Sequence, residues 1–112
     1  RQRDLIIRGG ENIYPAEIER RLEEHPGIAE VAVIPVDHEE RGQEPKAVVV
    51  PTSGTVLDPA ELKSFCAAAL AYFKVPAHWE IRSEPLPRNA TGKVVKQALI
   101  DGEPLQFEEG EA

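Results

Sequence analysis

A single cysteine, Cys66, occurs in the 112 residues, so no internal disulfide can form. Cys66 falls on the apolar side of a helical pattern and reads as a small core residue rather than a nucleophile. No apolar run reaches the ~18 residues of a membrane-spanning helix. No basic-then-apolar start is present, so no secretory signal is visible. Basic residues are also in the minority: 13 Lys and Arg stand against 20 Asp and Glu, a net charge of −7. That balance offers no broad basic face for duplex nucleic acid. The acidity is local. Asp101, Glu103, Glu108, Glu109 and Glu111 lie at the carboxyl end, and the rest of the chain carries only −2.

Several chemical signatures are missing as well. There is no G-x-G-x-x-G. Gly92-Lys93 fails as a phosphate-binding P-loop, because Pro87 stands where the upstream glycine belongs and Val94 where a hydroxyl belongs. His25, His38 and His78 are far apart in sequence without ligand spacing, so no metal site is expected. Asn89-Ala-Thr91 has the form of a glycosylation sequon, which matters only in a secreted protein.

What is present reads as one α+β domain, a small sheet of about three strands flanked by helices, preceded by a two-stranded hairpin. Short apolar runs on either side of Gly9-Gly10 predict the hairpin. Pro15 opens a helix whose inner face carries Ile18 and Leu22, and Pro26-Gly27 stops it. Strands are predicted over 28–36 and 46–50, antiparallel, with a polar loop over 37–44. Asp58-Pro59-Ala-Glu61 has the form of a capping box, and Leu62, Phe65, Cys66, Ala69 and Leu70 mark the buried side of the helix after it. A third strand is predicted over 78–82. A short helix is predicted over 93–100, with Val94, Val95, Ala98 and Leu99 inward.

The stretch Leu86-Pro-Arg-Asn-Ala-Thr-Gly-Lys93 stands out, because it puts one flexible amine at a loop tip, aimed away from the core. With Arg1-Gln-Arg-Asp-Leu-Ile-Ile-Arg-Gly-Gly-Glu-Asn-Ile-Tyr-Pro15 some seventy residues before it, and Val36-Asp-His-Glu-Glu-Arg-Gly-Gln43 between, it closely resembles the carboxyl-terminal domain of the adenylate-forming enzymes. The wording is most similar to fatty acyl-CoA and aryl-CoA ligases.

The resemblance implies a two-step reaction in the whole enzyme. A carboxylate and ATP give an acyl-adenylate and pyrophosphate, and CoA then gives the thioester. ATP, Mg²⁺ and the acyl group would be held mostly by a large amino-terminal domain, with this domain swinging between two poses. Lys93 matches the adenylation lysine. Gly9 and Gly10 match glycines lining the tunnel for the pantetheine arm of CoA. Arg1 matches an arginine that contacts the nucleotide, and Arg3 falls at the hinge, where relatives more often have Asp or Lys. Arg41, Phe73 and Lys74 lie where some relatives hold the CoA nucleotide.

On this reading residues 1–102 form the mobile domain, with the hinge near 1–4, and 103–112 are an acidic tail. The chain is expected to begin within a longer motif, as a piece cut at the hinge, and to be inactive alone. A cytoplasmic location follows from the use of ATP and CoA. Two other readings stay open: the matching part of a peptide-synthetase adenylation domain that serves a carrier protein, and a non-catalytic interaction module.

Overall fold

The computed structural model describes residues 5–101. The elements run β1 (Ile6–Arg8), β2 (Glu11–Ile13), α1 (Pro15–Glu23), β3 (Ile28–His38), β4 (Gly42–Pro51), α2 (Pro59–Ala67), a 3-10 turn (Tyr72–Lys74), β5 (His78–Ile81) and α3 (Lys96–Ile100). The α+β class holds, but the sheet has five strands, in the order β2-β1-β4-β3 with β5 also on β4. The hairpin is part of this sheet. Arg8 pairs with Gly42, and the Gly9 N–H donates to the Arg41 carbonyl at 2.7 Å. β5 runs parallel to β4, from Lys46↔His78 to Val49↔Ile81, and shares with β1 the edge of β4 that β3 leaves free.

The 37–44 segment is mostly strand, not the expected loop. β3 and β4 pair without interruption from Glu30↔Val50 to His38↔Gly42, leaving only residues 39–41 as the turn. Gly42 makes this possible at φ +88°, a conformation that L side chains rarely adopt.

Both faces of the β3–β4 pair are buried, which explains its nearly continuous apolar sequence. Alternate residues face opposite ways. Val31, Val33, Ala47 and Val49 join Ile18 and Leu22 of α1 and Leu62 and Cys66 of α2 in one core. Ala32, Ile34, Val48 and Val50 form a second core under Leu86, Val94 and Leu99. Cys66 is fully buried, and that burial pushes its thiol up to about 11.

α1 starts at Pro15 without a side-chain cap on Tyr14. α2 is capped as expected, with Asp58 Oδ1 accepting from the Ala60 N–H at 3.2 Å. Glu61 does not close the capping box; it faces His25 Nε2 at 3.1 Å and so links α2 to the end of α1. α2 stops at Ala67, so Ala69 is exposed rather than inward. α3 begins at Lys96, three residues later than predicted. Val94 pairs with Arg88 as an isolated bridge, and the Val95 N–H donates to the Pro87 carbonyl at 2.8 Å. The β-branched valines therefore close a small hairpin instead of opening a helix.

Candidate functional site

That small hairpin carries Lys93. Asn89 is its hub. Its Oδ1 accepts from the Thr91 N–H (3.0 Å), the Thr91 hydroxyl (2.7 Å) and the Lys93 N–H (3.1 Å). Its own N–H donates to the Lys93 carbonyl at 2.9 Å, and its carbonyl accepts from the Gly92 N–H at 3.0 Å. Gly92 sits at φ +86° with open space where a Cβ would be, so backbone conformation rather than crowding selects glycine. The Lys93 side chain is exposed, and its ammonium has no ion pair or hydrogen bond among the described residues. Other cations are engaged: Lys96 lies 2.9 Å from Glu19, Lys46 2.9 Å from Glu80, and Arg88 2.9 Å from Glu30.

A second group of residues gathers at the Gly9-Gly10 turn. Both glycines are exposed at positive φ (54° and 86°), and a Cβ at either meets nothing within 4 Å among the described residues. The hydrogen bond from Gly9 to the Arg41 carbonyl brings Arg41 beside this turn. Its guanidinium lies 2.8 Å from Glu44 Oε2 and 3.1 Å from His38 Nε2. Glu44 is only 6% exposed, and its other oxygen lies 2.9 Å from His78 Nε2. His38 and His78, forty residues apart in sequence, thus meet around one carboxylate. Sequence spacing gave no sign of this, because it needs β5 to lie along β4.

Phe73 and Lys74 are placed elsewhere. Phe73 is half-buried against the first core, and Lys74 is 2.9 Å from Glu17 of α1, with its ammonium 5.6 Å from the Phe73 ring centre. Arg1 and Arg3 lie outside the described residues.

Residues 17–93 match the family described as the AMP-binding enzyme C-terminal domain. The chain belongs to this family. It is 44% identical over 103 residues to a long-chain-fatty-acid–CoA ligase of Bacillus subtilis, a match covering 92% of this chain and 18% of the relative. It is 43% identical over 101 residues to a fatty acid–[acyl-carrier-protein] ligase of Streptomyces coeruleorubidus, covering 90% of this chain and 19% of the relative. Among solved structures, the o-succinylbenzoate CoA synthetase of Bacillus subtilis in complex with its acyl-adenylate intermediate superposes with a TM-score of 0.84 at 38% identity, covering 96% of this chain and 22% of that one. The chain thus spans about a fifth of the length of the proteins it matches.

In this AMP-binding C-terminal domain, Glu44 ties the Gly9 turn electrostatically to β5. The hydrogen bond with His78 holds its carboxyl below the ordinary 4.5; the charges of His38 and Arg41 add to this and burial opposes it. A lowered folded value means stability that is fully present above the unfolded value and lost as pH falls through the folded one. Glu44→Gln is therefore expected to destabilise the domain at neutral pH, with the gap to the unaltered domain narrowing below pH 4.5. Urea unfolding across pH measures it, and a gap independent of pH would contradict the account.

Proposed function

We propose that this chain is the mobile carboxyl-terminal domain of an ATP-dependent acyl-CoA ligase, presenting Lys93 for adenylation and the Gly9-Gly10 turn for thioester formation. One observation carries the reading most directly: an exposed ammonium without a partner among the described residues, held on a tightly hydrogen-bonded tip. As a carboxylate attacks the α-phosphate of ATP, negative charge gathers on the phosphoryl oxygens. Lys93 bridges those oxygens and the substrate carboxylate once the domains close. Closure removes water and strengthens the contact. Two unit charges 4 Å apart interact by about 1 kcal/mol in water and about 4 kcal/mol at an effective dielectric of 20.

In the second pose the turn at Gly9 and Gly10 borders the path of the pantetheine arm. The absence of side chains there leaves room for a thin ligand, and Arg41 beside it is within the same patch. Its guanidinium meets the CoA nucleotide only after leaving Glu44 or by sharing it. Phe73 and Lys74 have a weaker claim to that nucleotide, since the core and Glu17 already engage them. Arg1 and Arg3 keep their proposed nucleotide and hinge roles from the resemblance alone.

Among the described residues no group of three His, Cys, Asp or Glu side chains is set to hold a metal ion. Mg²⁺, like most of ATP, is assigned to the amino-terminal domain on the family resemblance. The likeness to both ligase types fits either a fatty or an aryl carboxylate as substrate. We place the enzyme in the cytoplasm, where ATP and CoA are used; no helix of the described residues is long and apolar enough to cross a membrane.

The similarity to an acyl-carrier-protein ligase favours one second reading, transfer of the acyl group to a carrier protein. Incubating the whole enzyme with ATP, Mg²⁺, a panel of fatty and aryl acids and CoA separates the two. Free acyl-CoA together with AMP is the expected product. Adenylation with no acyl-CoA, but with acylation of a phosphopantetheinyl carrier, would replace the first reading by the second. Absence of any adenylation would leave only an interaction module.

A further inference from the structure

The peptide unit joining Gly92 to Lys93 is held at both ends. Its N–H, that of Lys93, donates to Asn89 Oδ1 at 3.1 Å. Its oxygen, the Gly92 carbonyl, accepts from Arg88 Nη1 at 2.8 Å. The same guanidinium reaches the other way, with Nη2 2.9 Å from Glu30 Oε1. Glu30 belongs to β3, where the β3–β4 register shifts between Ile28 and Glu30. Its Oε1 also accepts from the Leu86 N–H at 3.3 Å, at the entry to the hairpin. A planar fork thus connects the backbone oxygen next to the catalytic amine to a strand buried on both faces.

We propose that Arg88, clamped by Glu30, is a positioning residue that sets where Lys93 stands relative to the sheet. The inference rests on the adenylation role of Lys93 and deepens it.

Asn89 organises the tip internally, but nothing in its hydrogen bonds ties that tip to β3. Arg88 supplies this tie. Two bonds in fixed directions need a guanidinium; an ammonium is a point donor on a flexible stem and does not reproduce the fork. The two side chains are 43% and 22% exposed, so their ion pair contributes little to global stability. Its loss should fall on placement rather than folding. A small error in placement matters because the amine must meet reacting oxygens whose positions another domain fixes.

The test uses the whole enzyme and assays the two half-reactions separately: pyrophosphate release from ATP and carboxylate, and thioester formation from preformed acyl-adenylate and CoA. Arg88→Lys and Arg88→Ala are expected to lower kcat for adenylation roughly 10–100-fold, with KM for ATP little changed. Glu30→Gln is expected to lower it less, in the same direction. Thioester formation and the melting temperature should stay near those of the unaltered enzyme. Full adenylation by Arg88→Lys overturns the proposal. So does an equal fall of both half-reactions accompanied by a lower melting temperature, which marks a merely structural role. Lys93→Ala, run in parallel, separates the two layers. If it loses adenylation while the Arg88 variants keep it, only the positioning role fails; if Lys93→Ala keeps adenylation, the underlying reading of Lys93 fails instead.

Discussion

Lys93→Ala in the whole enzyme is expected to slow acyl-adenylate formation on the order of 10²–10³-fold, the usual cost of removing one preorganised charge-stabilising donor. The structure gives the physical reasons. The ammonium has no partner to leave among the described residues, so the proposed domain closure would not have to break an ion pair to recruit it. The backbone beneath it is pinned by Asn89 and Arg88, so little ordering would remain to be done at the proposed closure. On the proposed role, in which the charge acts on oxygens that become more negative during the reaction, the loss should appear in kcat more than in KM for ATP. The variant should fold normally. Its side chain is exposed, and truncating an exposed lysine away from packed groups changes stability by no more than about 0.5 kcal/mol. Pyrophosphate release under saturating ATP measures the effect, and near-normal release would remove Lys93 from the chemistry.

Gly10→Leu carries the second large effect, expected in the other half-reaction. Gly10 sits at φ +86°, and a leucine there costs about 1–2 kcal/mol of local strain. Among the described residues a Cβ meets nothing within 4 Å, so the first side-chain atom adds no clash to that strain. The remaining effect depends on what occupies the space in front of the turn. If a pantetheine arm passes there against a second protein wall, overpacking by a leucine side chain costs about 1–3 kcal/mol. That corresponds to roughly 5–150-fold in thioester formation. Gly10→Ala shares the strain but has little of the bulk, so it should retain most of that rate. Equal loss in both variants would assign glycine to the turn alone. Loss of adenylation rather than thioester formation would place the turn in the wrong pose.

Motifs carried by neighbouring residues were the legible part of this chain. Pro15 and Asp58-Pro59 predicted two helix starts correctly, because capping and the fixed φ of proline act within one turn. Gly9-Gly10 predicted the hairpin for the same local reason. The tip of 89–93 was legible as a loop, but not its anchor. Arg88 meets Glu30 across 58 positions of sequence, and nothing in the residues around either one announces the pair. The charged stretch 37–44 looked like solvent-facing loop. Its backbone instead completes the β3–β4 ladder, while Glu44 is buried by partners from three segments. The apolar run Val94-Val95 looked like the first turn of a helix. The bridge to Arg88 and the bond to Pro87 satisfy that backbone in another way, and α3 waits until Lys96. Backbone pairings four to eight residues apart overrode the local pattern at 37–44 and at Val94-Val95, and only the Arg88–Glu30 anchor is distant in sequence.

The most direct measurement bypasses the first step. Purified Lys93→Ala enzyme is given preformed acyl-adenylate and CoA, and thioester formation is compared with that of the unaltered enzyme. An amine that serves adenylation alone predicts nearly equal rates here, alongside a deep loss of pyrophosphate release. A thioester rate that falls as far as the adenylation rate would contradict a domain that offers different faces to the two steps.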